Sequence, residues 1–159
     1  MALLRRNPHL TAMVVDIANV CAAGREIAAE NSLEDRITYH PADFLREELP
    51  SGFGMVLECD VGVYSEPVFR RVRAALDPGG RFVIVDQLAL SKDVAPPSRL
   101  HWAFQGSMVD PEFSFPTAAQ IRGQLTKAGF ELLSEGSLPP VRGGARRFVN
   151  GFVMIQACK

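Results

Sequence analysis

The feature that most constrains this chain is a rhythm. Short apolar runs rich in β-branched residues alternate with helix-like segments, and each run ends on or beside an acid. The runs are Thr11 to Ile17 with Asp16, Arg36 to His40 before Pro41-Ala42-Asp43-Phe44, Gly54 to Cys59 with Glu58, and Arg81 to Gln87 with Asp86. Continuous apolar runs suit strands buried on both faces. Val20 to Asn31 reads as a helix, as does Glu66 to Leu76 with Pro67 in its first turn, where proline is tolerated. Strands separated by helices imply a mostly parallel α/β sheet with right-handed connections and helices on both faces. Phe44 to Glu48 reads as a helical turn, and Asp77-Pro78-Gly79-Gly80 as a turn into the fourth strand. Thr117 is placed to cap a helix over Ala118 to Ala128, stopped by Gly129. The last two strands, Phe130 to Gly136 and Phe148 to Cys158, have only the loop Pro139 to Arg147 between them. They should form an antiparallel pair at one edge. Ala89 to Phe115, with Pro96-Pro97, reads as irregular.

Length and charge narrow the function classes. At 159 residues the chain is sized for a single domain over residues 1–159. Lys plus Arg (17) nearly balances Asp plus Glu (18), so no global field points to nucleic acid. The cluster Arg142, Arg146 and Arg147 in a glycine-rich loop reads more simply as a solvated turn. No run approaches the roughly 20 apolar residues of a membrane span, and the N-terminus has no secretory apolar segment. Cys21, Cys59 and Cys158 are widely spaced and contain no CxxC. That argues against a disulfide framework and for a reducing, cytoplasmic location. Cys59 reads as a small core residue. No His/Asp cluster has metal-ligand spacing, so no metal is expected.

In open α/β sheets ligands bind beyond the carboxyl ends of the strands. Asp16 ends the first strand, and two carboxylate oxygens there can accept from both hydroxyls of a ribose. The plainer alternative is a loop or capping acid. Asp43 with Phe44 ends the second: a carboxylate can accept from an adenine amino group while an aromatic lies on the base. An Asx-turn acid beside a core Phe is the plainer alternative. Together the two ends suggest an adenosine site.

The phrases Val14-Val15-Asp16, Arg36-Ile37-Thr38 with Ala42-Asp43-Phe44, Leu76-Asp77-Pro78-Gly79-Gly80 before Arg81 to Asp86, and Lys127-Ala128-Gly129-Phe130 occur in that order. With them the chain resembles a class I S-adenosylmethionine-dependent methyltransferase, of the small-molecule O-methyltransferase type found in plant caffeate and bacterial tailoring enzymes. The resemblance runs from about residue 4 onward and is weakest from Ala89 to Phe115. It implies a Rossmann-like sheet and S-adenosylmethionine as cofactor, held by Asp16 and Ile17 at the ribose and adenine, Asp43 and Phe44 at the adenine, and Glu58 nearby. It implies a substrate region formed by Tyr64, Trp102, Phe104 and Met108, with Phe113.

Two departures from that pattern matter. The family's opening strand and glycine-rich loop would lie ahead of residue 1; no Gly-x-Gly precedes Asp16, and the first glycine is Gly24. On this reading the domain lacks its first strand, which is central in the family. The strands carrying Asp16 and Asp43 then have no neighbour joining them to the rest. A second copy or a complementary subunit is expected to pair with the open edges. The second departure is at the base. The plant enzymes place His-Asp-Trp where this chain has Gly62-Val63-Tyr64. His101 in the substrate-facing segment is the candidate catalytic base, set against a plainer reading as a surface His beside Trp102.

Three functions remain in view. One is O-methyl transfer to a small aromatic or isoprenoid metabolite. Another is a non-catalytic, truncated or split methyltransferase-like subunit. The third is a nicotinamide dinucleotide enzyme, which would need the absent Gly-x-Gly-x-x-Gly turn.

Overall fold

The computed structural model describes residues 1–89, 100–137 and 152–159. They form two compact units, Met1–Leu49 and Pro50–Lys159.

The first unit runs α1 (Ala2–Arg6), β1 (Ala12–Asp16), α2 (Ala18–Glu30) and β2 (Ile37–Pro41). β1 and β2 pair in parallel, from Ala12 opposite Ile37 to Asp16 opposite Pro41. Leu4, Ala28, Leu33 and Ile37 form its buried core, with Ala12, Val14 and Tyr39 packed against it. Arg36 ties the N-terminal segment down. Its guanidinium donates to the carbonyls of Leu4 at 3.0 Å and Asn7 at 2.8 Å, at and just past the C-terminal end of α1. Tyr39 lies across α2 where Gly24 leaves room, and its hydroxyl donates to the Gly24 carbonyl at 2.6 Å.

The second unit holds β3 (Phe53–Cys59), α3 (Glu66–Ala75), β4 (Leu76–Gln87), α4 (Leu100–Val109), α5 (Ala118–Lys127), β5 (Glu131–Ser137) and β6 (Phe152–Cys158). Its sheet has the order β3-β4-β6-β5. β3 and β4 are parallel, while β6 is antiparallel to both β4 and β5. The expected parallel sheet with an antiparallel terminal pair is therefore present. β1 and β2 form a separate two-stranded sheet, with no ladder to the other four strands among the described residues.

α3 and α5 pack together on one face of the four-stranded sheet, over an aromatic stack. Phe69 meets Phe82 edge-on at 5.5 Å between centroids, and Phe82 meets Phe130 at 5.6 Å. Ile84, Ile121, Leu125 and Ile155 complete this core at 0–1% exposure. Thr117 caps α5 in a reciprocal box with Gln120, and Gly129 takes the left-handed φ of 88° that ends it.

Several expectations need correction. In this unit the described helices that pack on the sheet cover one face; on the other, Met55 and Leu57 stay exposed. Cys59 shares that outer face and is exposed rather than a core residue. Strand β4 begins at Leu76, not Arg81. Phe53 pairs with Leu76 and Met55 with Arg81, so Asp77 to Gly80 bulges out within the ladder instead of preceding it. Gly80 is confined there, since a Cβ would sit 2.9 Å from the Asp77 carbonyl. The segment read as irregular contains α4, an apolar helix with no buried residue. The arginine-bearing loop lies outside the described residues.

Candidate active site

Two clusters bear on function, one in each unit.

In the first, β1 and β2 end side by side. The Ala42 amide donates to the Asp16 carbonyl at 3.0 Å, fixing the two strand ends together. Asp16 Oδ1 accepts from the Ile17 amide at 2.7 Å, and its other oxygen has no partner among the described residues. Ile17 beside it is 56% exposed. Asp43 makes an Asx-turn: Oδ1 accepts from the Leu45 amide at 3.0 Å, and Oδ2 lies 3.6 Å from Arg46 Nε. Its own amide donates to Glu47 at 2.7 Å. Both acids thus stand at the carboxyl end of one parallel pair. A half-open carboxylate, an exposed Ile and the half-buried Phe44 lie at these strand ends.

The second cluster closes the carboxyl ends of β3 and β4. Glu58 pairs in register with Ile84, so Glu58 and Asp86 share a face of the sheet. After β3 the chain turns through two left-handed residues, Asp60 (φ 58°) and Gly62 (φ 78°). Tyr64 then lies at the end of β4, its hydroxyl donating a short hydrogen bond to Asp86 Oδ2. The Gln87 amide donates to Asp86 Oδ1 at 2.6 Å. Asp86 is 2% exposed. Burial raises its pKa, while the Tyr64 and Gln87 hydrogen bonds pull it back. Burial, reinforced by the hydrogen bond to Asp86, drives the Tyr64 phenol well above its ordinary range, so it keeps its proton. Glu58 is pushed up to about 8, by burial first and then by the Asp86 charge, and its Oε1 is buried without a partner among the described residues. At neutral pH Glu58 is therefore protonated.

Tyr64 and Asp86 face a cavity of about 420 Å³. Tyr64, Asp86 and Gln87 form one end, and Trp102, Phe113 and Phe115 wall it with aromatic surface. Of the sequence candidates, Tyr64 and Trp102 line this space together with Phe113. Phe104 and Met108 are 66% and 72% exposed on α4 and do not line it. His101 is exposed, with its ring 5.2 Å from Trp102, and also does not line it. Asp86 was not singled out by sequence reasoning. Its signal was there: an acid directly after the apolar run Phe82-Val83-Ile84-Val85.

An O-methyltransferase domain model matches residues 1–131. The chain belongs to the O-methyltransferase family. It is 30% identical over 142 residues to an L-tyrosine C(3)-methyltransferase of Streptomyces lavendulae, covering 82% of this chain and 37% of that protein. It is 35% identical over 99 residues to a 3-hydroxy-5-methyl-1-naphthoate 3-O-methyltransferase of Streptomyces sahachiroi, covering 60% and 29%. A solved structure of a Nostoc punctiforme protein described as an O-methyltransferase superposes with a TM-score of 0.81 at 20% identity. That match covers 99% of this chain and 47% of that one, and it establishes the fold. The chain thus spans less than half the length of these relatives. S-adenosylmethionine is the methyl donor of this O-methyltransferase family. No described helix is long and apolar enough to cross a membrane.

Proposed function

We propose that this chain carries the acceptor pocket and the nucleoside-binding strand ends of an O-methyltransferase acting on a small hydroxyaryl compound. The observation that carries the reading is the aromatic-walled cavity, closed at the strand ends by the Tyr64–Asp86 pair. A pocket of a few hundred Å³ with apolar walls and few polar groups suits a ring of one or two cycles. Trp102, Phe113 and Phe115 hold the ring by its faces, and the polar end orients a hydroxyl. Relatives are named for methylating a hydroxynaphthoate and a 3-amino-4-hydroxybenzoate, acceptors of that size.

S-adenosylmethionine, when bound, supplies an electrophilic methyl group. Asp16 would hold the ribose hydroxyls through its open oxygen, with Ile17, Asp43 and Phe44 against the adenine. Glu58 Oε1, buried without a partner among the described residues, is open to a polar group of a ligand. The protein would act in the cytoplasm on a small molecule. Among the described residues β3 and the β1–β2 pair each present an unpaired edge, which supports work as a homo-oligomer or with a complementary chain. The test is incubation of the purified chain with S-adenosylmethionine and either acceptor, followed by mass spectrometry. A gain of one methyl group on the acceptor oxygen is expected. Absence of product from folded protein, alone and after addition of a chain supplying the family's first strand, overturns the reading.

A further inference from the structure

We propose that Asp86, reached through the Tyr64 hydroxyl, takes the proton that the acceptor's hydroxyl must lose. The inference rests on the acceptor-pocket reading above and names the group that reading leaves open.

A methyl acceptor attacks as an oxygen nucleophile, and its O–H proton has to go somewhere as the new C–O bond forms. Among the described residues, the side chains able to take it can be checked against the cavity. His101 does not line it. Glu58 holds its own proton at neutral pH, so it cannot serve. Asp86 does line the cavity, sits 2% exposed, and accepts a hydrogen bond at each carboxylate oxygen. Its Oδ2 already receives the Tyr64 hydroxyl hydrogen. A phenolic oxygen that donates one hydrogen bond still accepts others, and Tyr64 faces the same space.

The bookkeeping closes without a further reagent. The acceptor's proton passes to Tyr64 Oη as the tyrosine's own proton passes to Asp86 Oδ2. Tyr64 ends as it began, so no tyrosinate forms, which its strongly raised pKa would oppose. Asp86 ends as a neutral carboxylic acid. The new O–CH3 bond takes the place of the donor's S–CH3 bond, leaving a neutral thioether. The arrangement is held before substrate arrives, because the Gln87 amide fixes the other carboxylate oxygen at 2.6 Å.

The test uses 4-nitrophenol as a chromogenic hydroxyaryl probe, titrated into the whole chain at a pH where the free probe is neutral. Difference absorbance reads whether the bound probe is a phenol or a phenolate. Calorimetry in two buffers of different ionisation enthalpy reads whether a proton leaves for solvent. The expected wild-type result is a phenolate band with no net proton release, because the proton stays on Asp86. Asp86→Asn and Tyr64→Phe should each bind the probe within about tenfold of wild-type affinity yet leave it neutral. A neutral bound probe in the wild type overturns the relay, as does a phenolate that persists in either variant. The wild-type spectrum decides the proton's location even if a variant fails to fold. Failure of the wild type to bind any hydroxyaryl probe would instead overturn the acceptor-pocket reading, and the relay with it.

Discussion

Glu58→Gln tests the electrostatics of the strand ends through stability alone. Glu58 is 9% exposed, with one oxygen buried and unpartnered, and its pKa is raised from 4.5 to about 8. A carboxyl whose folded pKa lies above its unfolded value binds more protons when folded throughout that interval. Stability therefore falls as pH rises from about 4.5 to about 8, and levels beyond. At about 1.4 kcal/mol per pH unit, the Glu58 contribution should worsen by about 4 kcal/mol between pH 5 and pH 8.5. Gln keeps the shape and removes the titration. The assay is urea unfolding followed by circular dichroism, with variant minus wild type taken at each pH so that other groups cancel. The variant should gain about 4 kcal/mol on the wild type across that interval. A difference constant with pH to within about 1 kcal/mol refutes the buried, like-charge account of Glu58.

Other perturbations probe the frame. Gly24→Ala drives a methyl into the Tyr39 ring and disturbs the bond from its hydroxyl to the Gly24 carbonyl; a loss of about 1–3 kcal/mol is expected in thermal or urea unfolding, and a neutral result would mean the ring is not seated there. Thr117→Ala removes the reciprocal box at the start of α5 and should cost about 1 kcal/mol, read by the same unfolding curves. Leu125→Ala, at 0% exposure between α5 and the sheet, should cost about 2–5 kcal/mol, whereas Met108→Ala on the exposed side of α4 should change stability by less than about 0.5 kcal/mol.

The alternation of apolar runs and helical segments made the strands legible because periodicity and buried parallel pairing leave the same mark on sequence. The capping box at Thr117 and the stop at Gly129 were legible for a similar reason, since both are local. α4 was not. Its residues, Leu100, Trp102, Phe104, Met108 and Val109, are apolar around much of the helix and exposed, so no helical stripe separated a buried from a wet face. The bulge at Asp77 to Gly80 was read as a simple turn because its glycines and proline signal a break equally well in either setting. At the site, the strand-end acids were visible as residues, but their roles were not. Asp43 spends its carboxylate on an Asx-turn and Arg46, while Asp86 meets Tyr64, a partner 22 positions away. Such non-local contacts, made by a loop that turns through Asp60 and Gly62, leave no spacing rule in the sequence.

The account's central claim is that the carboxyl ends of β1 and β2 hold S-adenosylmethionine as the methyl donor. Its most direct test is calorimetric titration of S-adenosylhomocysteine into the purified 159-residue chain, with Asp16→Ala as control. Saturable binding that the substitution abolishes is the predicted result. Folded protein that binds nothing, or a variant that binds as well as the wild type, would contradict it.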